Sequence, residues 1–507
     1  MTPTRLDQWH DRIFKNQTYS LLIACIVFAP LLYINVRNSI DWGDDNTQYI
    51  HQAINIVEGI PQSQTGYIYN DNYPVGGPRA YPVGFPLLLA PAYALAGYNL
   101  CAFTFVVALI SFIMALLMTL FFMRYFRALP AILLTALFVY NPQVLMFKED
   151  VMSDLPFGLF LVASTLVYTA PGRRTYGQSA LIALLIGMLI SIKSIGLFFP
   201  MAILADTARI ALLRIRGERT GNPEIDLLHR FIMAFGGITL FAVLNLVIFR
   251  MPSGGGIGDY LNIFNLHQLA DTILQNMIKY VEEMRYIFDP QVNDFQAVAL
   301  AAGSMSLALL FFGVVRKFIH GFDFVDLLAM CYLSILLVYP YNAGAFRFIM
   351  PVGFLVLYYI ALGLRSFNPG IPVSGLTKAI VAGGLMFILF LPGLKNILAS
   401  QRFTLTGPQE KAPQEAFKWI KANTPADAVI AFAKPRALAL YTDRKGFSNP
   451  HDQDIAPMHV DFMKAGVTHF LVSKSLSDES FMRYIRLSQN RMERIWGNDE
   501  FDLYRLR

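Results

Sequence analysis

The residues best placed to do chemistry are two clusters of carboxylates and two isolated cations. The first cluster, Asp41-Trp42-Gly43-Asp44-Asp45, runs directly into Asn46–Glu58, where Ile50, Ala53, Ile54 and Val57 mark one apolar helical face and Gly59 ends it. An Asp in that place can be a helix N-cap. Capping accounts for one carboxylate but not for a second beside it, nor for Asp41. The alternative is a catalytic carboxylate, Asp44 with Asp45 next to it, acting as a general base or orienting an acceptor hydroxyl. The second cluster is Lys148-Glu149-Asp150-Val151-Met152-Ser153-Asp154-Leu155-Pro156. Asp150 and Asp154 are four apart and share a face if that turn is helical; capping ahead of Pro156 is the simpler reading. Glu149, Asp150 and Asp154 are the candidates for binding an acceptor or a divalent cation, although no ligand spacing demands a metal. The cations are Lys193 and Arg347. Taken singly, either is an interfacial anchor; taken together, they suit a phosphate ester. His51, His267 and the other histidines are scattered and read as structural.

The elements that must position these groups are membrane helices. Of the 507 residues 55% are hydrophobic and 15% charged, well short of the quarter or so charged residues of a soluble domain. Eleven apolar segments are candidate spans: Ser20–Val36, Leu100–Met123, Leu129–Leu145, Leu155–Thr169, Ser179–Ile192, Ile195–Leu213, Phe231–Phe249, Ala297–Val315, Leu327–Tyr339, Phe348–Leu364 and Ala379–Leu394. Residues 1–19 are polar and no small-residue cleavage site follows the first span, so that span is expected to remain as an anchor. Cys25, Cys101 and Cys331 all lie within spans and suggest neither a disulfide framework nor a zinc site.

Basic residues alternate between loops. Arg5, Arg12 and Lys15, then Arg124 and Arg127, Arg173 and Arg174, the group from Arg209 to Arg230, Arg316 and Lys317, and Arg365 and Lys378 fall on one side, which the charge rule makes cytoplasmic. Loops 37–99 and 250–296 fall on the other. The expected organisation is a cytoplasmic segment 1–19, a transmembrane core 20–395 with those two outer loops, and an extracytoplasmic α/β domain 396–507. In that domain helix and strand patterns alternate: Gln414–Ala422, Val429–Ala433, a helical turn near Arg436, Thr468–Val472, Asp478–Leu487 and a terminal strand pair. Loop 250–296 carries an amphipathic stretch in which Leu266, Leu269, Ile273, Met277, Tyr280 and Met284 recur at helical spacing, which suits a helix lying in the interface. The net charge of +6 follows from this topology, and no nucleic-acid partner is expected.

In this order and topology the chain resembles the GT-C superfamily of integral-membrane glycosyltransferases, of the protein O-mannosyltransferase and lipid A aminoarabinose transferase type. Asp44, Asp45, Tyr49, Ala53 and Gly59 are similar to the family's first-loop pattern; Tyr81-Pro82-Val83-Gly84-Phe85-Pro86 to its approach to the second span; Ser153-Asp154 to its second acidic loop. Lys193, Gly196 and Pro200, then Arg347, Phe348 and Pro351, and last Trp419–Pro425, continue the match. Asp45 stands where the family commonly has Glu and Lys193 where Arg is frequent, and a Lys loses the bidentate fork. The resemblance implies a polyprenyl-phosphate sugar donor, an acceptor hydroxyl on a glycan, lipid or protein, transfer with inversion, Asp44 as base, and Lys193 and Arg347 on the lipid phosphate. It also implies a bacterial inner (cell) membrane location. A transporter or flippase would place charges near the midplane of repeated halves, and no repeat is present here. An O-antigen ligase or polymerase would place a long outer loop late in the chain.

Overall fold

The structure, a computed structural model, describes residue 14 and residues 16–172, 174–217, 227–251, 268–285, 296–339, 345–366, 375–399 and 405–507. The expected N-terminal segment 1–13, Lys15, Arg173, Arg219, Leu266, His267, most of loop 250–296 and the Pro340–Gly344 stretch before Arg347 lie outside the described residues.

Each of the eleven apolar segments is helical, but they are not equal. Among the described residues six helices are long and apolar enough to cross a membrane: Leu100–Met123, Ser194–Ile215, Leu227–Ile248, Gln296–His320, Phe346–Ser366 and Leu376–Leu398. A seventh span is available if Ala128–Val139 and Pro142–Glu149 are one span bent by 59°. Asn141 makes that bend. Its side chain accepts from the Gln143 amide, and Pro142 follows at the first helical position, so a new helix starts where the old one would have continued. Four other expected spans, in Gln17–Leu32, Asp154–Tyr168, Tyr176–Ile192 and Phe324–Val338, are shorter, as is Gly84–Ala96, the helix that follows the Tyr81–Pro86 approach. In the sections below α1 is Leu100–Met123, α2 Ala128–Val139, α3 Asp154–Tyr168, α4 Gln296–His320, α5 Gly353–Ser366 and α6 Gly375–Ala399. Helices α4 and α5 pack backbone to backbone: a Cβ on Gly313 would land on the Tyr359 carbonyl, and one on Gly363 on the Leu309 carbonyl.

The helix Asp45–Glu58 departs from its expected face. Ile50 and Ala53 are buried, but so are Asn46, Thr47, Gln48, Gln52 and Asn55, while Val57 is exposed. The buried amides hold loop backbone: Gln48 donates to Arg79 O, Gln52 to Tyr81 O, and Asn55 to the carbonyls of Pro61 and Gln64. This helix is the spine on which loop 60–81 is folded. In the helix Leu269–Arg285, Asn276, Tyr280 and Met284 are buried and Met277 is exposed together with Leu274, Ile278 and Val281. Asn276 donates to the carbonyls of Leu336, Leu337 and Tyr339, so the helix is docked on the core through an amide and shows an apolar face outward.

The C-terminal sheet has strands β1 Val429–Ala431, β2 Lys445–Phe447, β3 His469–Ser473, β4 Met492–Gly497 and β5 Phe501–Leu506, in the order β2-β1-β3-β5-β4. β2-β1-β3 are parallel, and β5 and β4 run antiparallel beside β3. Helices Lys411–Asn423, Pro435–Thr442, Ile455–Ala465 and Glu479–Leu487 alternate with the strands. Strand β2 and helix Ile455–Ala465 were not read from the sequence; three-residue Lys445–Phe447 is too short to show a period. Loop 37–99 is strapped to this sheet. Tyr67 and Gly446 form a parallel bridge, in which the Ile68 amide donates to Gly446 O and the Gly446 amide to Gly66 O; Asn70 donates to Ser448 O and Asn72 to Asp461. Trp42 packs edge-on against Phe417 and Phe432.

Candidate active site

The site is built where loop 37–99, the start of α3, the end of helix Tyr176–Ile192 and the start of the Phe346–Ser366 helix meet helix Pro435–Thr442 of the C-terminal domain. Asp44 lies just ahead of its helix at φ 52°, ψ −38°, the centre of a γ-turn closed by the Asp45 amide on the Gly43 carbonyl. That turn is rare and strained. It points the Asp44 carboxylate away from its own helix, where it makes no capping bond. Oδ1 instead accepts the backbone amides of Arg436 and Ala437, both at 3.1 Å, at the start of helix Pro435–Thr442. Asp44 thus caps a helix, but one nearly four hundred residues away.

Asp45, one residue on, takes a different set of partners. It accepts from Tyr81 Oη at 2.6 Å, Arg347 Nη1 at 3.1 Å and Arg436 Nη1 at 3.2 Å. Arg347 turns its Nε to Asp154 at 2.9 Å, and Lys193 closes on the other oxygen of Asp154. Beneath them Tyr49 and Ser153 share a hydrogen bond of 2.9 Å. Asp45, Asp154, Lys193 and Arg347 are therefore one network, drawn from four segments. Its bottom is closed: Asp154 is wholly buried. Its top is open, with the side chains of Lys193, Asp45 and Arg347 17%, 21% and 24% exposed.

The two adjacent aspartates are electrostatically opposed. Burial raises the Asp44 carboxyl above its ordinary range, and the partial relief from Arg436, the Ala437 amide and Lys434 does not cancel it. Burial acts on Asp45 as well, but Arg347 and Arg436 outweigh it and hold that carboxyl below its ordinary range. A neighbouring pair whose environments drive their proton affinities apart is the usual arrangement of an acid–base group beside a permanently charged one.

The remaining acidic candidates stand apart from this network. Asp150 and Asp154 do not share a helical face, because the preceding helix stops at Glu149 and Asp150 is extended. Glu149 pairs with Arg37 at 2.9 Å. Asp150 lies against Asp41, whose amide reaches its Oδ1 at 3.4 Å; burial and that neighbouring carboxylate push it up to about 8. Among the described residues no group of three or more His, Cys, Asp or Glu is placed to hold a metal. The donor set is largely committed: Asp45 and Asp154 already face three fixed cations, Glu149 faces a fourth, and burial beside Asp41 raises the Asp150 carboxyl.

Arg436 is the residue of this network that sequence reasoning did not single out. It is 2% exposed, salt-bridged to Asp45, donates Nη2 to Pro78 O at 2.9 Å, and lies over the rings of Tyr67 and Tyr81. Gly77, at φ +92°, leaves room for it; a Cβ there would press on Nη1 and Nη2. The only sequence signal is Lys434-Pro435-Arg436, a helix start, which says nothing of where the side chain goes. Tyr49, Tyr81 and Ser153 were legible as motif positions but not as hydrogen-bond partners.

No protein-family model matches the chain, and no curated protein matches it. Solved structures do. ArnT from Cupriavidus metallidurans, bound to undecaprenyl phosphate, is similar with a TM-score of 0.54 at 11% identity, over 95% of this chain and 97% of that one. The archaeal oligosaccharyltransferase AglB from Archaeoglobus fulgidus, in complex with an inhibitory peptide and a dolichol-phosphate, is similar with a TM-score of 0.53 at 12% identity, over 93% and 70%. The same oligosaccharyltransferase in complex with Zn and sulfate gives 0.53 at 13%, over 90% and 68%. The chain therefore has the GT-C fold of these integral-membrane glycosyltransferases, as its motifs led one to expect.

Proposed function

We propose that this chain is a membrane glycosyltransferase that moves a sugar from a polyprenyl-phosphate donor to an acceptor hydroxyl, with inversion, at the Asp44–Asp45–Arg347 site. The observation that carries this reading is the half-open charge network: two cations at the mouth of a membrane fold, held in place from below by a buried Asp154. Arg347 uses Nε on Asp154 and Nη1 on Asp45, which leaves Nη2 for a phosphate oxygen, and Lys193 offers its ammonium beside it. In the proposed step the acceptor oxygen attacks the anomeric carbon. Its proton passes to Asp44, the C–O bond to the phosphate breaks, and the electron pair leaves with the polyprenyl phosphate. Negative charge grows on that leaving group, where preorganised cations help most. Asp44, with its raised proton affinity and with Oδ2 not used by the helix amides, suits the base; Asp45 keeps Arg347 and Arg436 oriented. No step is routed through a metal, because the carboxylates at the mouth are already matched by cations.

The reading also takes all eleven helical segments as spans, the C-terminal domain as extracytoplasmic and the membrane as a bacterial inner membrane. Reporter fusions at residues 70 and 450 should report outside, and one at 220 inside. A cytoplasmic C-terminal domain would remove Arg436 from an outer site and defeat the proposal. The chemistry itself is tested by mass spectrometry of lipid-linked sugars and envelope glycans with and without the gene. Loss of one envelope sugar with build-up of its polyprenyl-linked form is expected; unchanged profiles of both would count decisively against transfer. A transporter would instead move the intact lipid-linked sugar across the bilayer, leaving its glycosidic bond unbroken in a reconstituted assay.

A further inference from the structure

Strand β2 is an edge of the C-terminal sheet, and loop 37–99 covers it. The Gly446 amide donates to Gly66 O and the Ile68 amide to Gly446 O, so Tyr67 stands opposite Gly446 as one more strand would. Two glycines bring this pairing close to helix Pro435–Thr442. A Cβ on Gly446 would land on the Pro435 carbonyl, and one on Gly66, at φ +72°, would press on Ala439 and the Arg444 carbonyl. The backbone of Tyr67 is thereby fixed against the helix that carries Arg436.

The Tyr67 side chain is 8% exposed, and the Arg436 guanidinium lies 4.5 Å above its ring. The Tyr67 hydroxyl donates to the Gly77 carbonyl at 3.4 Å. Burial pushes that hydroxyl up to about 12, so the phenol is neutral at neutral pH. Tyr81 is the farther ring, at 5.3 Å, and its hydroxyl is committed to Asp45. We propose that Tyr67 is a positioning residue for sugar transfer: pinned to strand β2, its ring seats the Arg436 guanidinium against Asp45 and beside Asp44. This role rests on the reading of Asp44 as the base. A cation shielded from water is held over an aromatic face by the ring quadrupole, and here that attraction fixes which way the arginine fork points. The charged groups acting on Asp44 are Arg436, Lys434 and Asp45; Tyr67 and Tyr73 are the phenols that feel its charge. Arg436 gives Asp44 its largest relief from burial. A guanidinium that swings away therefore leaves Asp44 holding its proton more tightly.

Transfer is followed by mass spectrometry in membrane vesicles from cells that make both the lipid-linked donor and the acceptor. Tyr67→Leu keeps the place apolar and removes the ring. Its rate should fall about tenfold, roughly the worth of one shielded cation–π contact, and the acid limb of its pH profile should move to higher pH. Tyr67→Phe keeps the ring and should keep both rate and profile. In an Arg436→Gln background Tyr67→Leu should cost about twofold or less, because the ring acts through the guanidinium it seats. An equal loss in both backgrounds, a loss with the pH profile unmoved, or parental turnover of Tyr67→Leu would each overturn the proposal. Should Tyr67→Leu fail to fold, Tyr67→Met replaces it; failure of both, with Tyr67→Phe folded, makes the ring a staple of the strap and rejects a positioning role. Parental turnover by Asp44→Asn, or no transfer by the parent chain, is a separate result: it defeats the reading of the site, and this role with it.

Discussion

The two ends of α3 each carry a buried ion-pair network, and they are built to different ends. At its C-terminal end Tyr168 donates to Asp206 at 3.0 Å, Arg230 reaches Asp206 at 2.8 Å and Arg209 reaches it at 2.7 Å. One carboxylate has three donors, and the side chains of Asp206 and Arg230 are only 5% and 6% exposed. At the N-terminal end Asp154 is just as buried, but the cations that hold it also reach outward, and Arg347 is 24% exposed. A saturated network ties helices together. One closed below and open above keeps cations poised for a ligand. Burial of charge is common to both, and each has one part-exposed arginine, Arg209 at 28% and Arg347 at 24%. What separates a candidate site from a staple is that Arg209 commits Nε, Nη1 and Nη2 to Asp206 and the Phe322 carbonyl, whereas Arg347 gives only Nε and Nη1 to Asp154 and Asp45.

The largest effect expected from this contrast is at Asp44. Asn accepts the Arg436 and Ala437 amides as Asp does, but it cannot take a proton. Asp44→Asn should therefore fold and express normally and lose ~10²–10⁴-fold in transfer rate, with Asp45→Asn affected less. Near-parental turnover of Asp44→Asn, with activity abolished by Asp154→Asn, would move the base to the second loop. The residual pH dependence is informative too. Burial raises the Asp44 carboxyl, so the acid limb of the rate profile should lie above the ordinary carboxylate range, activity appearing as pH rises through it. A limb below pH 4 would point to a different base.

Removing one arginine from each end splits the networks cleanly. Arg230→Ala leaves Asp206 short of a partner in a closed site and should cost up to ~3–5 kcal/mol of stability, while the protein that survives turns over normally. Arg347→Ala leaves Asp154 with Lys193 and should cost less stability, but ~10²-fold or more in rate. Lys193→Ala should behave in the same way, though the fully buried Asp154 makes some loss of stability unavoidable. If Arg230→Ala lowers the rate per folded molecule as much as Arg347→Ala does, the distinction between the ends fails.

Arg436 comes next in size. Arg436→Lys keeps a charge near Asp45 but loses the forked donation to Asp45 and Pro78. A charge-assisted hydrogen bond is worth ~1.5–3 kcal/mol, so about a tenfold loss in rate is expected, with the C-terminal sheet still folded by circular dichroism. No change would make Arg436 a purely structural anchor of the loop.

The smallest effect concerns Asp150. Its folded carboxyl, pushed up to about 8, binds its proton more tightly than in the unfolded chain. The stability this provides is fully present below about pH 4 and is lost as pH rises through about 8. Asp150→Asn should therefore melt at a higher temperature than the parent at pH 8 and at the same temperature at pH 4. A gap that widens on acidification would contradict the burial and the Asp41 contact as causes.

Much of this was legible in one dimension. Hydropathy marks eleven helical segments because lipid demands apolar runs, though it left helix Gly84–Ala96 inside loop 37–99, and Asp44, Asp45, Asp154, Lys193 and Arg347 stand out because charges beside such runs are expensive and need a reason. Most of the helix and strand order after residue 405 follows from period and turn residues, but strand β2 and helix Ile455–Ala465 were missed. Which carboxylate meets which cation was not legible. Asp150 and Asp154 are four apart in sequence yet face different partners, because the chain between them is not helical. The Asn46–Glu58 helix was read by its aliphatic stripe, but its amides decide how it packs, since a buried amide must find a carbonyl and only the folded loop shows which. Arg436 lies 391 residues from Asp45, and no local pattern encodes a contact at that separation. Sequence determined that this chain is a helical membrane protein with acidic and basic groups at one mouth. Only the tertiary structure decided that Asp44 turns to the start of helix Pro435–Thr442 while Asp45 turns to Arg347, since one strained γ-turn sends two adjacent side chains into environments that shift their proton affinities in opposite directions.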